Sequence, residues 1–407
     1  MNTRSDPGFV LQAEAEDGHP PGRPHSPRGG TAAASADSPP PATDRTGIAE
    51  RVIAWQRRHG RHSLPWQGTR DPYRIWLSEI MLQQTQVSTV LPYYQRFLER
   101  FPTVADLAAA PVGDVMALWA GLGYYTRARN LHGCAQRIVA EHGGRFPGSA
   151  EILATLPGIG RSTAAAVAAF AYGERAAILD GNVRRVLARH HGIDGDPAST
   201  GVLRRLWEVA DAELPDLDRH DDGHAAMAAY TQGLMDLGAT VCTRGMPACE
   251  RCPLTDSCVA LREARQLELP GKRQRKAAGE RHVHLLWIRH DGLTLLEQRP
   301  PRGIWGGLLS LPECENDDIA AACRRLGIQL EGEPRRLPPF EHVFTHFRLQ
   351  ATPWQIHAGH LALAESSQHC WLDAPALQGA ALPAPIRKLL VEPPLFRGAA
   401  GDGDRSS

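Results

Sequence analysis

The sequence predicts an all-α domain of roughly residues 46–268, followed by a smaller α+β domain of about residues 282–392. In the first range apolar residues recur at helical spacing, as Ile48, Val52 and Trp55 do, and no alternating strand pattern occurs before about residue 280. In the second range the pattern changes to short strand-like runs separated by turn residues. The length of 407 residues is also typical of two or three domains.

The composition restricts the class of protein. The 45 basic and 45 acidic side chains balance, so the bulk charge does not indicate a nucleic-acid partner and any basic surface must be local. No apolar run reaches the roughly 18 to 20 residues that a membrane span needs. No apolar stretch follows the first charged residues as a secretory signal would require. We therefore expect a cytosolic, monomeric protein with no membrane partner.

The flanking segments differ in composition from both domains. Residues 1–45 are rich in Pro, Gly, Ala and Ser without an apolar period, which predicts a disordered tail. Residues 269–281 are rich in Lys and Arg and are predicted to form an exposed basic linker. Residues 393–407 are rich in Gly and Asp and are expected to form a loose tail.

The α+β domain is predicted from turn and strand signals. Residues 282–289 and 293–298 look like two strands, and Asp291-Gly292 between them is a β-hairpin signal. A helix is expected at about 316–326, with further strands near 343–357.

A glycine-containing turn joins two helical segments in Leu156-Pro-Gly-Ile-Gly-Arg-Ser-Thr-Ala164. Gly158 and Gly160 surround one apolar residue, which leaves backbone N–H groups uncovered at the start of the Ala-rich segment Thr163–Ala171. Such N–H groups at a helix N-terminus can hold a phosphate, so the pattern indicates a DNA-binding helix–hairpin–helix. A plain turn between two helices is the alternative.

Two carboxyl groups stand out near this hairpin. Asp180 follows Gly160 by 20 residues and can cap the next helix beside the hairpin, facing the nucleotide that the hairpin anchors. It can also be an ordinary helix cap, and both roles are compatible. Glu79 lies in the apolar segment Trp76–Leu82, where burial would keep its carboxyl protonated and suit it to be a general acid. An exposed Glu on a helix is the alternative.

A polar run follows Glu79 and interrupts the apolar segment. Gln83, Gln84, Thr85 and Gln86 are consecutive, and their amides are suited to entering a base stack or reading base edges.

Four cysteines lie close together with the spacing Cys242-x6-Cys249-x2-Cys252-x5-Cys258. In a reducing compartment such a cluster indicates a metal centre rather than disulfides. Thiolate ligands fit either zinc or an iron–sulfur cluster, although the wide first gap differs from paired zinc-knuckle spacing.

The hairpin, the following Asp180 and the cysteine spacing occur in the same order in the endonuclease III superfamily of DNA glycosylases, which the chain resembles from about 47 to 270 and more weakly to about 390. The adenine-specific MutY branch is resembled in particular, through three segments: Leu64–Gln67, Ser78–Gln86 and Gly121–Tyr125. The resemblance implies a helix–hairpin–helix fold and one [4Fe–4S] cluster in a loop at 242–258. It implies duplex DNA with adenine opposite 8-oxoguanine or guanine as the substrate.

The same resemblance implies roles for individual residues. Glu79 matches the acid that protonates the flipped adenine, and Asp180 matches the carboxylate that stabilises the oxocarbenium ion or bonds to it transiently. Asn182 matches a residue that helps orient the site. A base inside a duplex is unreachable and must be flipped out, and an acid and a carboxylate around its N-glycosidic bond parallel glycoside hydrolysis.

Further positions match the family's DNA contacts. Leu64, Trp66 and Gln232 fall where the family lines the adenine pocket. Six further residues match family positions that contact the duplex, either beside the opposing guanine or at the phosphates of the DNA. They are Gln84, Thr85, Tyr124, Gly158, Gly160 and Ser162.

Ser162 also departs from the strand-cleaving relatives, in which this hairpin position is a lysine that forms a Schiff base. Lysine occurs only at Lys272, Lys276 and Lys388, so the amine for that chemistry is absent from the predicted catalytic domain. We therefore predict a glycosylase without lyase activity.

The second domain resembles a Nudix fold through Gln298–Leu308, but it lacks the R-E-x-x-E-E helix that holds Mg²⁺ in Nudix hydrolases. The resemblance implies a former hydrolase fold reused to recognise oxidised guanine. Within Phe340–His346, the residues that resemble the family's guanine-sensing loop are His342, Phe344, Thr345 and His346. That the two histidines are only strand residues is the alternative.

Three other functions are compatible with parts of this pattern. One is a thymine or uracil mismatch glycosylase on the same scaffold, which Glu79 disfavours because thymine does not need the same protonation. Another is a Nudix-type nucleotide hydrolase with a DNA-binding module, which the missing glutamates disfavour. The third is an iron–sulfur DNA sensor without enzymatic activity.

Overall fold

The computed structural model describes residues 47–272, 279–315, 317–344, 347–360 and 368–391. Several sequence predictions lie outside these residues, namely both tails (1–45 and 393–407), the linker segment 273–278, and the side chains of Thr345 and His346.

Residues 47–272 are helical, and the described part contains no strand before Gly279. The prediction of an all-α first part is therefore confirmed. The helices are α1 (Ile48–His59), α2 (Pro72–Leu82), α3 (Val87–Arg100), α4 (Val104–Ala109), α5 (Val112–Trp119), α6 (Thr126–His142), α7 (Ala150–Leu153), α8 (Arg161–Tyr172), α9 (Gly181–His190), α10 (Thr200–Ala212), α11 (Gly223–Asp236) and α12 (Val259–Arg262).

Acidic and hydroxyl side chains begin several of these helices, as helix N-termini require. Asp71 accepts a hydrogen bond from the second residue of α2, and Pro72 occupies the first helical position, where no N–H is needed. Thr103 and Asp106 form a reciprocal capping box at α4. The side chain of Asp222 caps α11 by accepting a hydrogen bond from the backbone N–H of Ala225. These caps fix where the chain enters the helices that surround the site.

Two hydrophobic clusters form the helical core. One contains fully buried aromatic residues such as Trp76 and Trp119 and lies among α2, α3, α5, α6 and α8. The other joins α1, α8, α9 and α11 around Val52 and Tyr230. Helix α8 contributes to both clusters, because its alanines allow close packing on each side. Helix α2 carries Glu79, and helix α9 follows Asp180. Each of these helices therefore shares a hydrophobic cluster with α8.

The rest of the described chain is a mixed sheet with three further helices. The strands are β1 (Gly279–His290), β2 (Leu293–Gln298), β3 (Leu309–Ser310), β4 (Glu313–Cys314), β5 (Gln329–Leu330), β6 (Arg335–Arg336), β7 (Phe340–Val343), β8 (Phe347–His360) and β9 (His369–Leu372). The helices are α13 (Ile319–Arg325), α14 (Ala374–Gly379) and α15 (Ala384–Leu390).

Strands β1 and β8 run parallel at the centre of the sheet and pair from Gly279↔Phe347 to Arg289↔His357. On either side the strand order is β3-β2-β1-β8-β5, and β7 pairs antiparallel with β8. The predicted hairpin between β1 and β2 is confirmed, because Asp291 and Gly292 both have positive φ.

The sequence analysis placed two features of this part differently. Strand β1 begins at Gly279, inside the range predicted as an exposed linker, because its pairing with β8 continues to that residue. Leu269, also in that range, is buried. In addition, one hydrophobic cluster contains Trp66 and Leu131 of the helical part together with Leu285 of the sheet. The two parts therefore share a continuous apolar contact.

Among the residues that the structure describes, no helix is both long and apolar enough to cross a lipid bilayer.

The contact between α1 and α11 gives a test of this packing. A Cβ added at Gly233 would lie 2.6 Å from Cγ1 of Val52 and 3.2 Å from its carbonyl oxygen. Because Val52 is fully buried and stiff at χ1, we expect Gly233→Ala to lower the free energy of unfolding by about 1–3 kcal/mol. Gly113→Ala, in α5, is the matched control, since no heavy atom lies within 4 Å of its added Cβ. Chemical denaturation that gives equal stability for both variants would contradict this packing.

Candidate active site

A cavity of about 490 Å³ opens beside α2 and α11. Trp66, Glu79 and Gln232 line it, so the structure brings together three residues that the sequence analysis assigned to one pocket. Trp66 is buried and packs edge-on against Tyr94, with 5.2 Å between ring centroids. Leu64 does not line this cavity and instead packs, partly buried, against the helical core. The cavity volume is typical of a small-molecule or base pocket.

Glu79 lies in the middle of α2, between Ser78 and Ile80, which are both buried. Burial raises the pKa of Glu79 to about 8, and the charge of Asp180 contributes to the rise. A carboxyl group with this pKa holds its proton at neutral pH and can donate it.

Asp180 begins α9 as its N-cap residue, as the sequence suggested. One carboxylate oxygen accepts hydrogen bonds from the backbone N–H groups of Asn182 (2.9 Å) and Val183 (2.7 Å). Burial raises the pKa of Asp180, while these two N–H groups and the charges of Arg185 and Arg184 oppose the rise. The two carboxyl groups are thus close enough to interact, but only Asp180 receives donors from a helix N-terminus.

The glycine hairpin positions Asp180. Ser162, in the first turn of α8, accepts a hydrogen bond of 2.9 Å from the backbone N–H of Leu179, which directly precedes Asp180. Gly158 has a φ of +76°, and a Cβ there would lie 2.7 Å from the Cβ of Asn130. Gly160 precedes α8 without any side-chain cap, so its first N–H groups remain available to a ligand.

The four cysteines of the 242–258 loop line one common cavity and form no disulfides. Burial raises the pKa of three of their thiols, and that of Cys252 reaches about 11. Thiols in this setting become thiolates when a cationic centre binds them. Within the described residues, no three Cys, His, Asp or Glu side chains are grouped around a single metal-ion position.

Two arginines of α9 donate hydrogen bonds to this loop. Arg189 reaches the sulfur of Cys242 at 3.3 Å, and Arg185 reaches its carbonyl oxygen at 2.7 Å. Arg185 also donates to the side-chain oxygen of Asn182 at 2.9 Å, two residues after Asp180. The cysteine set and these donors to sulfur and backbone therefore fit a thiolate-ligated cluster.

Comparisons with known proteins agree with this geometry. Residues 77–212 match the family model described as HhH-GPD superfamily base excision DNA repair protein, and residues 283–392 match that of the NUDIX domain. An adenine DNA glycosylase of Buchnera aphidicola (subsp. Schizaphis graminum) is 32% identical over 346 residues, covering 84% of this chain and 97% of that protein. The chain belongs to the adenine DNA glycosylase family.

Other relatives have the same name. The human adenine DNA glycosylase is 42% identical over 233 residues, which cover 55% of this chain and 41% of the human protein. Among solved structures, a thermostable thymine-DNA glycosylase is 28% identical to this chain, with a TM-score of 0.47. The alignment covers 53% of this chain and 95% of the glycosylase chain. The curated relatives and the two family models confirm the predicted fold class and adenine glycosylase activity in base excision repair.

Two exposed tips of the helical part have strained backbones. Gln84 has a φ of +58° and Tyr124 a φ of +51°, a region that non-glycine residues seldom adopt. The sequence analysis expected both residues to contact the duplex. Strain of this kind persists only where the surrounding structure enforces it.

The guanidinium of Arg127 enforces both conformations. It is buried, which lowers its pKa to about 10, and lies over the rings of Trp119 and Tyr124. Its hydrogen bonds of 2.7 to 3.4 Å reach the carbonyl oxygens of Ile80, Met81, Gln83, Leu122 and Gly123 and the hydroxyl of Thr85. Sequence analysis missed this residue. An arginine two residues after the Gly121–Tyr125 turn was the available signal.

A second cavity, of about 590 Å³, lies where the helical part meets the sheet. Tyr124 lines it from the helical side, and His342 and Phe344 line it from the sheet side. These two rings are packed edge to face, with centroids 4.6 Å apart, beside Trp305. His342 is also part of β7, so it is a strand residue that borders this cavity.

Proposed function

We propose that the protein is a monomeric, monofunctional glycosylase that hydrolyses the N-glycosidic bond of adenine paired with 8-oxoguanine or guanine in duplex DNA. The observation that carries this proposal is the position of Glu79 on the cavity that Trp66 and Gln232 also line, where burial and the charge of Asp180 raise its pKa to about 8. Adenine is a poor leaving group until it is protonated, and an acid beside a second carboxylate meets that need.

The proposed reaction begins when the flipped adenine enters the cavity lined by Trp66 and Gln232. Glu79 donates its proton to the base, so that the C1′–N9 bond can break with its electron pair moving into the purine ring. Asp180 stabilises the oxocarbenium ion that forms on the sugar, or bonds to it transiently. Water then adds to C1′ and loses a proton to a carboxylate. Asn182 helps to orient this site.

The duplex is held, in this proposal, by elements outside the cavity. The N–H groups at Gly158 and Gly160 bind a phosphate, and Ser162 lies beside them. The side chains that enter the duplex are Gln84 and Tyr124. Thr85 contacts the DNA beside Gln84, and its hydroxyl accepts a hydrogen bond of 3.0 Å from Arg127.

The remaining assignments concern the cofactor and the second domain. Cys242, Cys249, Cys252 and Cys258 would hold one [4Fe–4S] cluster, which when bound cross-links the loop that contacts Arg185 and Arg189. Domain limits of 46–268 and 282–392 are part of the proposal, the second domain recognising oxidised guanine. The residues proposed to contact that guanine are His342, Phe344, Thr345 and His346.

The central test is Glu79→Gln. The amide keeps the shape of the side chain but cannot donate the proton, so we expect single-turnover excision of adenine to fall by at least about a hundredfold while duplex binding persists. The variant should melt no lower than the wild type, because it removes a carboxyl that resists ionisation in the folded protein. A variant that keeps most of its rate would overturn the assignment.

The pH profile supplies an independent check. In the wild type the rate should decline as the pH rises through about 8, because Glu79 then loses its proton. Any residual rate of Glu79→Gln should lack this decline.

The cluster predicts a brown protein with about four iron and four labile sulfide per chain after anaerobic purification. Stoichiometric zinc without sulfide would replace the cluster assignment with a zinc site. Cys252→Ser is expected to lower both iron and sulfide. Cys134→Ser, at a buried cysteine outside the loop, should leave them unchanged.

The product strand should contain an intact abasic site, because Ser162 stands at the hairpin position and a hydroxyl cannot form an imine. Borohydride should therefore trap almost no wild-type protein on DNA, and strands should break only after alkali or heat. Ser162→Lys is expected to gain trapping. Ser162→Ala, the matched control, loses the same hydrogen bond to Leu179 without adding an amine. Efficient trapping of the wild type at a residue of the 46–268 domain would refute the monofunctional assignment.

A further inference from the structure

A buried carboxylate lies behind the candidate base pocket and has no part in the proposed reaction. Asp236 ends α11, is 0% exposed, and follows Gln232 by one helical turn. The side-chain nitrogen of Gln232 donates a hydrogen bond of 2.8 Å to Oδ1 of Asp236. Gln232 itself lines the cavity that contains Glu79.

Arg61 fixes the same carboxylate from the other side. Its backbone N–H donates to Oδ2 of Asp236 at 2.8 Å, and its Nε donates to Oδ1 at 2.7 Å. The guanidinium also forms an ion pair with this oxygen, with Nη2 2.7 Å from Oδ1. Both oxygens of the Asp236 side chain therefore accept hydrogen bonds, and the donors come from Arg61 and Gln232.

This arrangement determines which end of the Gln232 amide faces the cavity. A carboxylate repels a carbonyl oxygen, so the amide must direct its N–H₂ group at Asp236. Its Oε1, on the opposite side of the amide carbon, is then the atom presented to a bound base. The usual ambiguity between the two ends of a glutamine amide is removed by the charge of Asp236.

We propose that Asp236 is a specificity-determining positioning residue, which locks Gln232 as a hydrogen-bond acceptor and so makes the pocket select a 6-amino purine over a 6-oxo purine. Adenine presents an amino donor at C6 to such an acceptor. Hypoxanthine has nearly the same shape but presents a carbonyl oxygen there, which would face Oε1 of Gln232 with no proton between them. A hydrogen-bond acceptor in the pocket that faces an acceptor on the base rejects the wrong base more strongly than shape alone does.

A purely structural role for Asp236 makes a different prediction. Asp236 also connects α11 to the segment that leads to Trp66, so its loss could lower excision of every base equally. The selectivity between two bases of equal size separates the roles, because a general loosening leaves that ratio unchanged.

The experiment measures single-turnover excision from two duplexes that contain adenine or hypoxanthine opposite 8-oxoguanine. Four proteins are compared: wild type, Asp236→Asn, Gln232→Met and the double variant. We expect each single variant to reduce the adenine-to-hypoxanthine rate ratio by about tenfold, the factor that corresponds to about 1.4 kcal/mol. The double variant should have the same ratio as Gln232→Met, because Asp236 acts through Gln232.

The matched control is Asp114→Asn, which breaks an exposed pair with Arg100 (3.4 Å) and should leave the ratio at the wild-type value. An unchanged ratio in Gln232→Met or in a folded Asp236→Asn protein would overturn the proposal. So would a further tenfold change on adding Asp236→Asn to Gln232→Met.

A second measurement covers the case in which Asp236→Asn does not fold. With ¹⁵N-labelled glutamine, the side-chain signals of Gln232 in the wild type are identified by their loss in Gln232→Met. We expect one amide proton to exchange slowly with solvent, because it is bonded to the buried carboxylate. Fast exchange of both amide protons would refute the hydrogen bond that fixes Gln232 against Asp236.

This inference rests on the proposed placement of the flipped base in the 490 Å³ cavity. The two can fail separately. If Glu79→Gln keeps its activity, the proposed reaction fails, whereas an unchanged base ratio together with an inactive Glu79→Gln protein removes only the role of Asp236.

Discussion

Two carboxyl groups lie within electrostatic reach of each other, and the surrounding helices give them different environments. Glu79 lines the cavity from the middle of α2, where burial and the charge of Asp180 raise its pKa to about 8. Burial raises the pKa of Asp180 as well, but the N–H groups of Asn182 and Val183 and the charges of two arginines oppose that rise. This difference follows from where α9 begins relative to the middle of α2.

That geometry depends on contacts between segments far apart in the chain. Ser162 accepts a hydrogen bond from the residue before Asp180. Arg127 donates hydrogen bonds to three carbonyl groups at the C-terminal end of α2, just after Glu79. Arg185 connects Asn182 to the carbonyl of Cys242. The cysteine loop therefore supports the start of α9 although it lies about 60 positions later. If the loop is cross-linked by the proposed cluster, these hydrogen bonds would also hold the start of α9 in place.

The sequence predicted those features that depend on neighbouring residues. The cap at Asp180 and the turn at Asp291-Gly292 are local patterns, and each is found at the predicted position. Contacts between distant residues were not predictable, since one sequence carries no pairing information. Arg127 reaches carbonyls more than 40 positions away, and Asp236 binds Arg61 across 175 positions.

In the sheet, too, local patterns were predictable from the sequence and the pairing of distant strands was not. Strands were expected from about 282 because alternation is visible there. The parallel pairing of β1 with β8, which extends β1 back to Gly279, joins segments nearly 70 residues apart. The helix near 316–326 was expected, and the described α13 is shorter, at Ile319–Arg325, with Asp318 as its cap.

The second part packs directly on the helical part, because one hydrophobic cluster contains residues of both. The guanidinium of Arg129 donates to the carbonyl of Gly306, and at Gly307, where φ is +73°, an added Cβ would lie 2.9 Å from Nη1 of Arg129.

This close approach has a consequence for the proposed recognition of the opposing base. Arg129 lies in α6, five residues after Tyr124, and the segment it binds leads to Trp305, which contacts His342. The side chain proposed to enter the duplex and the rings proposed to sense the guanine thus border one cavity. The hydrogen bond from Arg129 to the backbone of Gly306, with no room for a side chain at Gly307, holds the two borders of this cavity together.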